Sequence, residues 1–316
     1  MKKEIIVISK EYLRQVIEEE INFNGINCDL NHINVSGVQD MFLLFDGLRF
    51  NGNISKWDVS NVENMGGMFQ NSTFNGDISS WDVANVTTMW CMFADSKFNQ
   101  DISRWNVSNV VSMRSMFCNS VFNKDISKWA VGNVEDMQNM FCESRFNKNI
   151  SKWDVSSVND MGHMFYNSSF NQNISAWNVS RVKNMENMFC KAKFNQDISK
   201  WDVSHVVNML GMFKESAFNQ DISDWNVSSV MTMFKMFAMT EFDHDISRWR
   251  PENLRDTEEV FLNSKLEKFN KVPFWALVGV EFLPQAIKAY HLQALMDEKL
   301  RPKTIEDKYR VITNKI

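Results

Sequence analysis

The stretch FNQDISRWNVSNVVSMRSMFCNSV, residues 98–121, is followed directly by FNKDISKWAVGNVEDMQNMFCESR, residues 122–145, and returns as FNQDISKWDVSHVVNMLGMFKESA, residues 194–217. The opening phenylalanine recurs every 24 residues, which gives nine copies over residues 50–265, called repeats 1 to 9. These phenylalanines, at place 1, are Phe50, Phe74, Phe98, Phe122, Phe146, Phe170, Phe194, Phe218 and Phe242. Place 8 is always Trp, and the consensus is FNxDISxWDVSxVxxMxxMFxxSx. Such a period is typical of repeats that stack into a solenoid or array.

The copies decay at both ends of the array. A degenerate copy occupies residues 26–49, where Ile33 falls 24 residues before Trp57. In repeat 9, Pro251 takes the place of the usual valine. Atypical end copies are characteristic of the caps of a stack. We therefore expect Trp249, in repeat 9, to lie beside a cap.

The apolar spacing within one repeat predicts two short elements. Ile, Trp and Val at places 5, 8 and 10 follow the LxxLxL pattern of a leucine-rich repeat, which predicts a short strand. Val, Met, Met and Phe at places 13, 16, 19 and 20 lie on one face of a short helix. The predicted fold class is α/β: a leucine-rich-repeat-like solenoid of about ten coils, with a parallel sheet on one face and short helices on the other.

The repeats resemble those of the BspA-like leucine-rich-repeat surface proteins. The runs FNGDISSWDVANVTTMWCMF and FNQDISKWDVSHVVNMLGMF carry the resemblance, which covers about residues 30–265. It implies a leucine-rich-repeat-like solenoid and, for surface members, adhesion to host proteins or other cells. The chain departs from that pattern because we identify no signal peptide, no lipid-attachment cysteine near its start and no carboxy-terminal wall anchor.

The flanking segments differ from the repeats. Residues 1–25 predict an amino-terminal cap, with a strand at Ile5 to Ile8 and an amphipathic helix capped by Ser9. Residues 26–265 form the predicted solenoid. Residues 266–316 predict a carboxy-terminal helical segment, with a helix from about Gln285 to Leu300.

Composition narrows the class of partner and the compartment. A net charge of −5, spread without long runs of one sign, argues against nucleic acid as a partner. No apolar run reaches the roughly 18 residues of a membrane-spanning helix. Without a signal peptide, the expected location is the cytoplasm, and the alternative is export without a classical signal. The composition leaves the oligomeric state open.

Few residues suggest chemistry. Asp77, Asp101 and Asp125 recur at place 4, where an Asx turn with the serine two residues on is favoured over a calcium site. Cys118 and Cys142 share a place in adjacent repeats, and reduced thiols are favoured over pairing or metal binding. The five histidines are scattered. With no nucleophile elbow or phosphate loop, we expect no enzyme activity, no cofactor and no metal.

Recognition in a solenoid falls to the places that vary between repeats. Place 7 carries a row of lysines and place 9 a row of aspartates, which either pair with each other or form a polar recognition face. Places 14 and 17 are expected to face solvent, yet they carry an apolar cluster in repeats 7 and 8. We expect the tail after Pro284 to dock across this cluster, and the alternative is that another chain covers it. The candidate partner-binding residues are Val207, Leu210, Met231, Phe234, Trp90, Lys128, Lys152, Asp154, Lys200 and Asp202.

These observations favour a non-catalytic protein–protein interaction scaffold of leucine-rich-repeat type, located inside the cell and bound to another protein. The alternative is a surface or virulence-associated adhesin that binds host or cell-surface proteins. A third hypothesis is an enzyme activity carried by residues 266–316.

Overall fold

The computed structural model describes residues 4–277, 285, 287–289 and 293. Strand β1, Ile5–Ile6, precedes helix α1, Lys10–Asn24, and strand β2, Ile33–Asn34, follows. The two strands pair in parallel, and the Ser9 hydroxyl caps α1 as predicted, accepting from the backbone N–H of Tyr12 at 3.3 Å. The described chain ends with helix α2, Lys265–Lys268, a 3₁₀ turn at Phe274–Ala276, and the helical residues 285, 287–289 and 293.

Successive repeats stack with an offset of 24 residues. Isolated parallel bridges join the same place in neighbouring copies, from Asp40↔Asn64 to Asn208↔Thr232. Beside the bridges, N–H groups of one repeat donate to carbonyl oxygens of the next: Gly67 to Trp90 at 2.7 Å, and Phe69 to Met92 at 3.0 Å. Because all the ladder bonds at places 16 to 22 run this way, the ladder has a fixed direction along the stack.

The strand and the helix predicted for each repeat do not occur in residues 50–264. Places 17 to 22 form overlapping turns, such as those closed by Met68 N–H to Met65 O and by Gln70 N–H to Gly67 O. Place 18 has a positive φ in every copy, for example 57° at Asn139, which an α-helix excludes. The isolated bridges from Asp40 to Thr232 also lie at place 15, and none lies on the Ile-Trp-Val segment, since the one other bridge, Asp29↔Asn53, is at place 4. The spacing of the apolar residues was misleading because two consecutive turns bury the same side chains as two turns of helix.

Aromatic side chains form continuous columns through the core. The Trp rings of neighbouring repeats are stacked and nearly parallel. The centroids of the Trp177 and Trp201 rings are 6.5 Å apart. The phenylalanines of place 1 stack similarly, at 6.3 Å between Phe98 and Phe122. Each indole N–H from Trp81 to Trp249 donates to the Ile carbonyl of the preceding repeat, as in Trp153 to Ile126 at 3.1 Å, and Trp57 donates to Leu30 O at 3.0 Å. The large buried rings therefore pack on one another and leave no indole N–H of the Trp column without a partner.

A ladder of asparagines runs beside these columns. At place 2, the side-chain Oδ1 of each repeat accepts from the backbone N–H of the next, for example Asn75 from Asn99 at 2.8 Å. The ladder extends from Asn51 to Asp243. The nearly invariant Asn after each Phe is therefore explained by bonding between repeats.

Residues outside the nine repeats contact both ends of the stack. Trp275 occupies the next position in the Trp column, 6.1 Å from Trp249, and donates to Ile246 O at 3.2 Å. Trp249 is therefore flanked on both sides, by Trp225 and by Trp275. Sequence spacing missed Trp275 because it lies 26 residues after Trp249 instead of 24. At the other end, the Arg14 guanidinium donates to the carbonyl oxygen of Leu44 at 2.8 Å.

Candidate binding surfaces

The charged candidates at places 7 and 9 are exposed. Exposed lysines lie at place 7 of repeats 4, 5 and 7, namely Lys128, Lys152 and Lys200, and exposed aspartates lie at place 9 of repeats 5 and 7, namely Asp154 and Asp202. Among the residues that the structure describes, none of these five side chains forms an ion pair within 4.0 Å. Ion pairs between the two rows, which would have made them a purely structural surface, are therefore absent at these five residues. The five charges face solvent.

The aspartates of place 9 are held by their own turns. Asp154 Oδ1 accepts from the backbone N–H of Ser156 at 3.1 Å, and Asp202 does the same with Ser204 at 3.0 Å. Hydrogen bonds from the side chain and the backbone of these serines lower the pKa of both carboxyl groups. Both aspartates therefore present a fixed negative charge at neutral pH.

The row at place 4 confirms the expected Asx turns. Asp101 Oδ1 accepts from Ser103 N–H at 2.9 Å, and Asp125 makes the same bond to Ser127. In repeat 5, Asn149 makes this bond equally well. Among the described residues, no group of three or more His, Cys, Asp or Glu side chains could hold a metal ion. The turn therefore explains why this place accepts Asp and Asn alike.

The Asx turns make stability dependent on pH. Bonds from Ser103 and Ser127 lower the pKa of Asp101 and Asp125 below the ordinary value of 3.8. Their contribution is fully present above that value and is lost as the pH falls through the lower folded-state pKa. We expect the urea midpoint to fall as the pH drops below about 4. In the double variant Asp101→Asn/Asp125→Asn the fall should be shallower, because asparagine keeps the acceptor but does not titrate. An acid profile identical to that of the wild type would contradict this account.

The apolar cluster of repeats 7 and 8, called the apolar patch, consists of Val207, Leu210, Met231 and Phe234. All four residues are half-buried, so the expectation that places 14 and 17 are fully solvent-facing is corrected. The Lys235 ammonium lies 4.7 Å from the centroid of the Phe234 ring. The patch is a partly covered apolar surface with one cation beside it.

Trp90 belongs to a different surface. It lies in repeat 2, and its ring packs 5.3 Å from that of Phe42 in the degenerate copy. The two rings meet over Gly66, where an added Cβ would lie 2.6 Å from the Trp90 Nε1 atom. Trp90 therefore packs against a second aromatic side chain, and the structure does not bring it together with the apolar patch.

A cavity beside this aromatic pair was missed in the sequence. It has a volume of about 440 Å³ and is lined by Lys10, Glu11, Arg14, Phe42, Leu43 and Leu44. The Lys10 ammonium lies 5.2 Å from the Phe42 ring centroid. Phe42 occupies place 17 of the degenerate copy, as Trp90 does in repeat 2. Extending the repeat alignment to that place would therefore have identified Phe42 as a candidate surface residue.

The expected docking of the tail falls largely outside the described residues. Ile287 is described and buried, at 4% exposure. Tyr290, Leu292, Leu295 and Met296, the other apolar residues of the tail, lie outside the described residues. The described residues between 285 and 293 are helical, in agreement with the helix predicted from about Gln285, and the remainder of that helix also lies outside.

The cysteines and histidines show no catalytic arrangement in the described part of the chain. Cys91, Cys118, Cys142 and Cys190 are free thiols. His32 contacts Glu20 at 3.1 Å, and His163 contacts Asn187 at 3.1 Å. His244 lies 3.2 Å from the carbonyl oxygen of Asn219. These three imidazoles are used in contacts between neighbouring parts of the stack. None of the helices that the structure describes has the length and apolar composition needed to span a membrane.

One protein-family model matches the chain three times in tandem. Its description is "Mycoplasma protein of unknown function, DUF285", and the matches cover residues 13–121, 97–193 and 167–275. No curated protein and no solved structure matches the chain. The three matches together span residues 13–275, which include all nine repeats and residues 13–24 of helix α1.

Proposed function

This chain belongs to the DUF285 family of Mycoplasma proteins of unknown function, and we propose that it is a non-catalytic protein–protein interaction scaffold, built as a solenoid of leucine-rich-repeat type. The difference in burial between the constant and the variable places of the repeat supports this proposal. The constant Phe, Ile, Trp, Val and Met residues are buried in repeats 1 to 8. Recognition is thereby left to the variable places, which differ from one repeat to the next.

The apolar patch is the single observation that carries the proposal. Glutamate occupies place 14 in repeat 1 and place 17 in repeat 6, so the stack does not require apolar residues at these places. In repeats 7 and 8 the same places bring four apolar side chains together, and each remains partly exposed. A contiguous apolar surface of this kind marks an interaction site more often than a bare solvent face.

The charged rows define the kind of partner that fits. Lys200 and Asp202 lie in repeat 7, as do Val207 and Leu210 of the patch, and both are exposed without an ion pair among the described residues. An apolar centre with charges in the same repeats has the composition of a protein-binding surface with a polar rim. The proposed partner is therefore another protein, which buries the apolar patch and places its own charges against Lys200 and Asp202.

The test compares a patch variant with a matched control. Leu210→Glu/Phe234→Glu places glutamate where repeats 6 and 9 carry it naturally. Val111→Glu makes the same change at an exposed apolar residue of repeat 3, with 44% of its surface accessible. Immobilised protein is incubated with extract of the producing cells, and retained proteins are quantified by mass spectrometry.

The patch variant is expected to lose a specific partner, while the control retains it. Loss of a central apolar contact costs about 2 kcal/mol or more, which is roughly a 30-fold weaker affinity. Equal thermal midpoints for the two variants would show that both are folded. A partner retained equally by the wild type and the patch variant would remove the patch as its binding site.

The second candidate is a surface adhesin that binds host or cell-surface proteins. The likeness of the repeats to BspA-like surface proteins favours it. The same exposed rows and apolar patch would then face a partner outside the cell, whereas a scaffold would be cytoplasmic. Protease added to intact cells distinguishes the two: digestion of the chain without lysis supports the adhesin, and protection until lysis supports the cytoplasmic scaffold.

A further inference from the structure

Two cysteine side chains lie next to each other in the stack. Cys118 and Cys142 both occupy place 21, in repeats 3 and 4. The ladder brackets Cys118 on both sides: Phe117 N–H donates to Met140 O at 3.0 Å, and Asn119 N–H donates to Cys142 O at 2.7 Å. Hydrogen-bonded neighbouring segments run about 4.8 Å apart. Disulfides form between Cα atoms about 4.4 to 6.8 Å apart, so the backbone already has a suitable separation.

The two thiols interact and are chemically unequal. A hydrogen bond from Cys142 lowers the pKa of Cys118, against an opposing effect of burial. The same contact raises the pKa of Cys142. Cys118 is half-buried and Cys142 is buried. Cys118 is therefore the member of the pair that forms a thiolate more readily and that a reagent in solution reaches first.

Cys190 and Cys91 have no cysteine at the same place in an adjacent repeat. Cys190 also occupies place 21, but its neighbours at that place are Tyr166 and Lys214. Burial raises the pKa of Cys190 to about 11. Cys91 lies at place 18 of repeat 2, and Cys28 lies in the degenerate copy. All five cysteines fall within residues 4–277, so the pairing at Cys118 and Cys142 is specific to these two repeats.

We propose that Cys118 and Cys142 are a thiol modification site that takes a small disulfide, such as oxidised glutathione, and becomes a disulfide between repeats 3 and 4. The Cys118 thiolate attacks one sulfur of the reagent, which releases one glutathione thiolate and leaves a mixed disulfide on Cys118. The Cys142 sulfur then loses its proton and attacks the Cys118 sulfur, which releases the second glutathione. Two protein thiols are oxidised, one glutathione disulfide is reduced, and the two protons pass to the departing thiolates.

The product would add a covalent bond parallel to the hydrogen-bond ladder. In the reduced chain, repeats 3 and 4 are held at this face by backbone bonds and side-chain packing alone. The disulfide would close a loop of one repeat length and oppose local separation of these two repeats. A reductant would reverse the modification.

The test uses the full chain in buffers of reduced and oxidised glutathione, followed by peptide mapping under non-reducing conditions. The wild type is expected to yield the peptides of Cys118 and Cys142 linked together, with the loss of two hydrogens and of two free thiols. Cys142→Ser should stop at glutathione attached to Cys118. Cys190→Ser, the matched control, should form the same link as the wild type.

The rates supply a second readout. In Cys142→Ser, glutathione is expected to attach to Cys118 at least about tenfold faster than to Cys190, because the Cys118 thiol is less buried. Unchanged thermal midpoints of the reduced variants would show that folding is preserved. A wild type that stays glutathionylated on Cys118 without the link, or that links Cys118 to Cys91, would overturn the proposal.

Discussion

Trp201→Ala is expected to lower the free energy of unfolding by about 3–5 kcal/mol, the usual cost of truncating a fully buried aromatic side chain. The Trp201 ring stacks on Trp177 at 6.5 Å and packs against Phe189 at 6.3 Å. Its indole N–H donates to Ile174 O at 3.1 Å, and that carbonyl would lose its partner. Because both neighbours belong to continuous columns, the cavity cannot close without moving whole repeats. Urea denaturation followed by Trp fluorescence and circular dichroism measures the loss.

Trp90→Ala is the matched control, since it removes the same side chain from a half-exposed position outside the column. We expect it to cost about 1 kcal/mol, the centre of the range for ordinary substitutions. Trp249→Ala should cost as much as Trp201→Ala, because Trp275 continues the column beyond it. A small effect at Trp249 would contradict the extension of the column into the carboxy-terminal segment.

Three substitutions at Asn139 are expected to separate a turn from a helix by the sign of their effects. Asn139 has a φ of 57° and donates its N–H to Gly162 O at 2.9 Å. Proline cannot adopt this φ and has no N–H to donate, so Asn139→Pro should cost about 3 kcal/mol or more. Asn139→Gly should be neutral or stabilising, because glycine takes a left-handed conformation without strain. Asn139→Ala should cost about 1 kcal/mol, because alanine does not.

In a helix interior the order of alanine and glycine would be reversed, with glycine about 1 kcal/mol worse than alanine. Thermal or urea unfolding of the two variants side by side therefore decides between the alternatives. Alanine more stable than glycine at this position would restore the helix predicted from the spacing of Met and Phe.

Sequence predicts well the features of this molecule that depend on the kind of side chain. The buried places, the Asx turns and the cap at Ser9 follow from residue types whose burial or hydrogen bonding has few alternatives. The backbone path between Met65 and Phe69 is harder to predict, because helix and consecutive turns bury the same side chains. What decides is that alternate N–H groups, those of Met65, Gly67 and Phe69, donate to the next repeat, while Met68 N–H donates back only three residues, to Met65 O. No single-repeat pattern encodes that choice.

The candidate surfaces are predictable to a lesser degree. Lys128 and Asp154 lie at places 7 and 9, which are exposed in repeats 1 to 8. Their position within the repeat is therefore enough to predict their exposure. The contact of Trp90 with Phe42 depends on the glycine between them, at Gly66, and thus on three copies read together. Trp275 shows the limit of periodicity, since two extra residues in the connection hide it from any alignment at a fixed spacing.

The direction of the ladder has a consequence for inheritance. Each of repeats 1 to 7 receives backbone bonds from its predecessor and gives bonds of the same kind to its successor, whatever side chains the repeats carry. Unequal recombination within the gene that removes or duplicates a whole unit of 24 codons would therefore preserve this pattern of backbone bonds, while contacts such as that of Trp90 with Phe42 would change. The number of repeats is thus free to change from one generation to the next while the two ends stay the same, and surface residues such as those of the apolar patch can be brought nearer or moved apart without a point mutation.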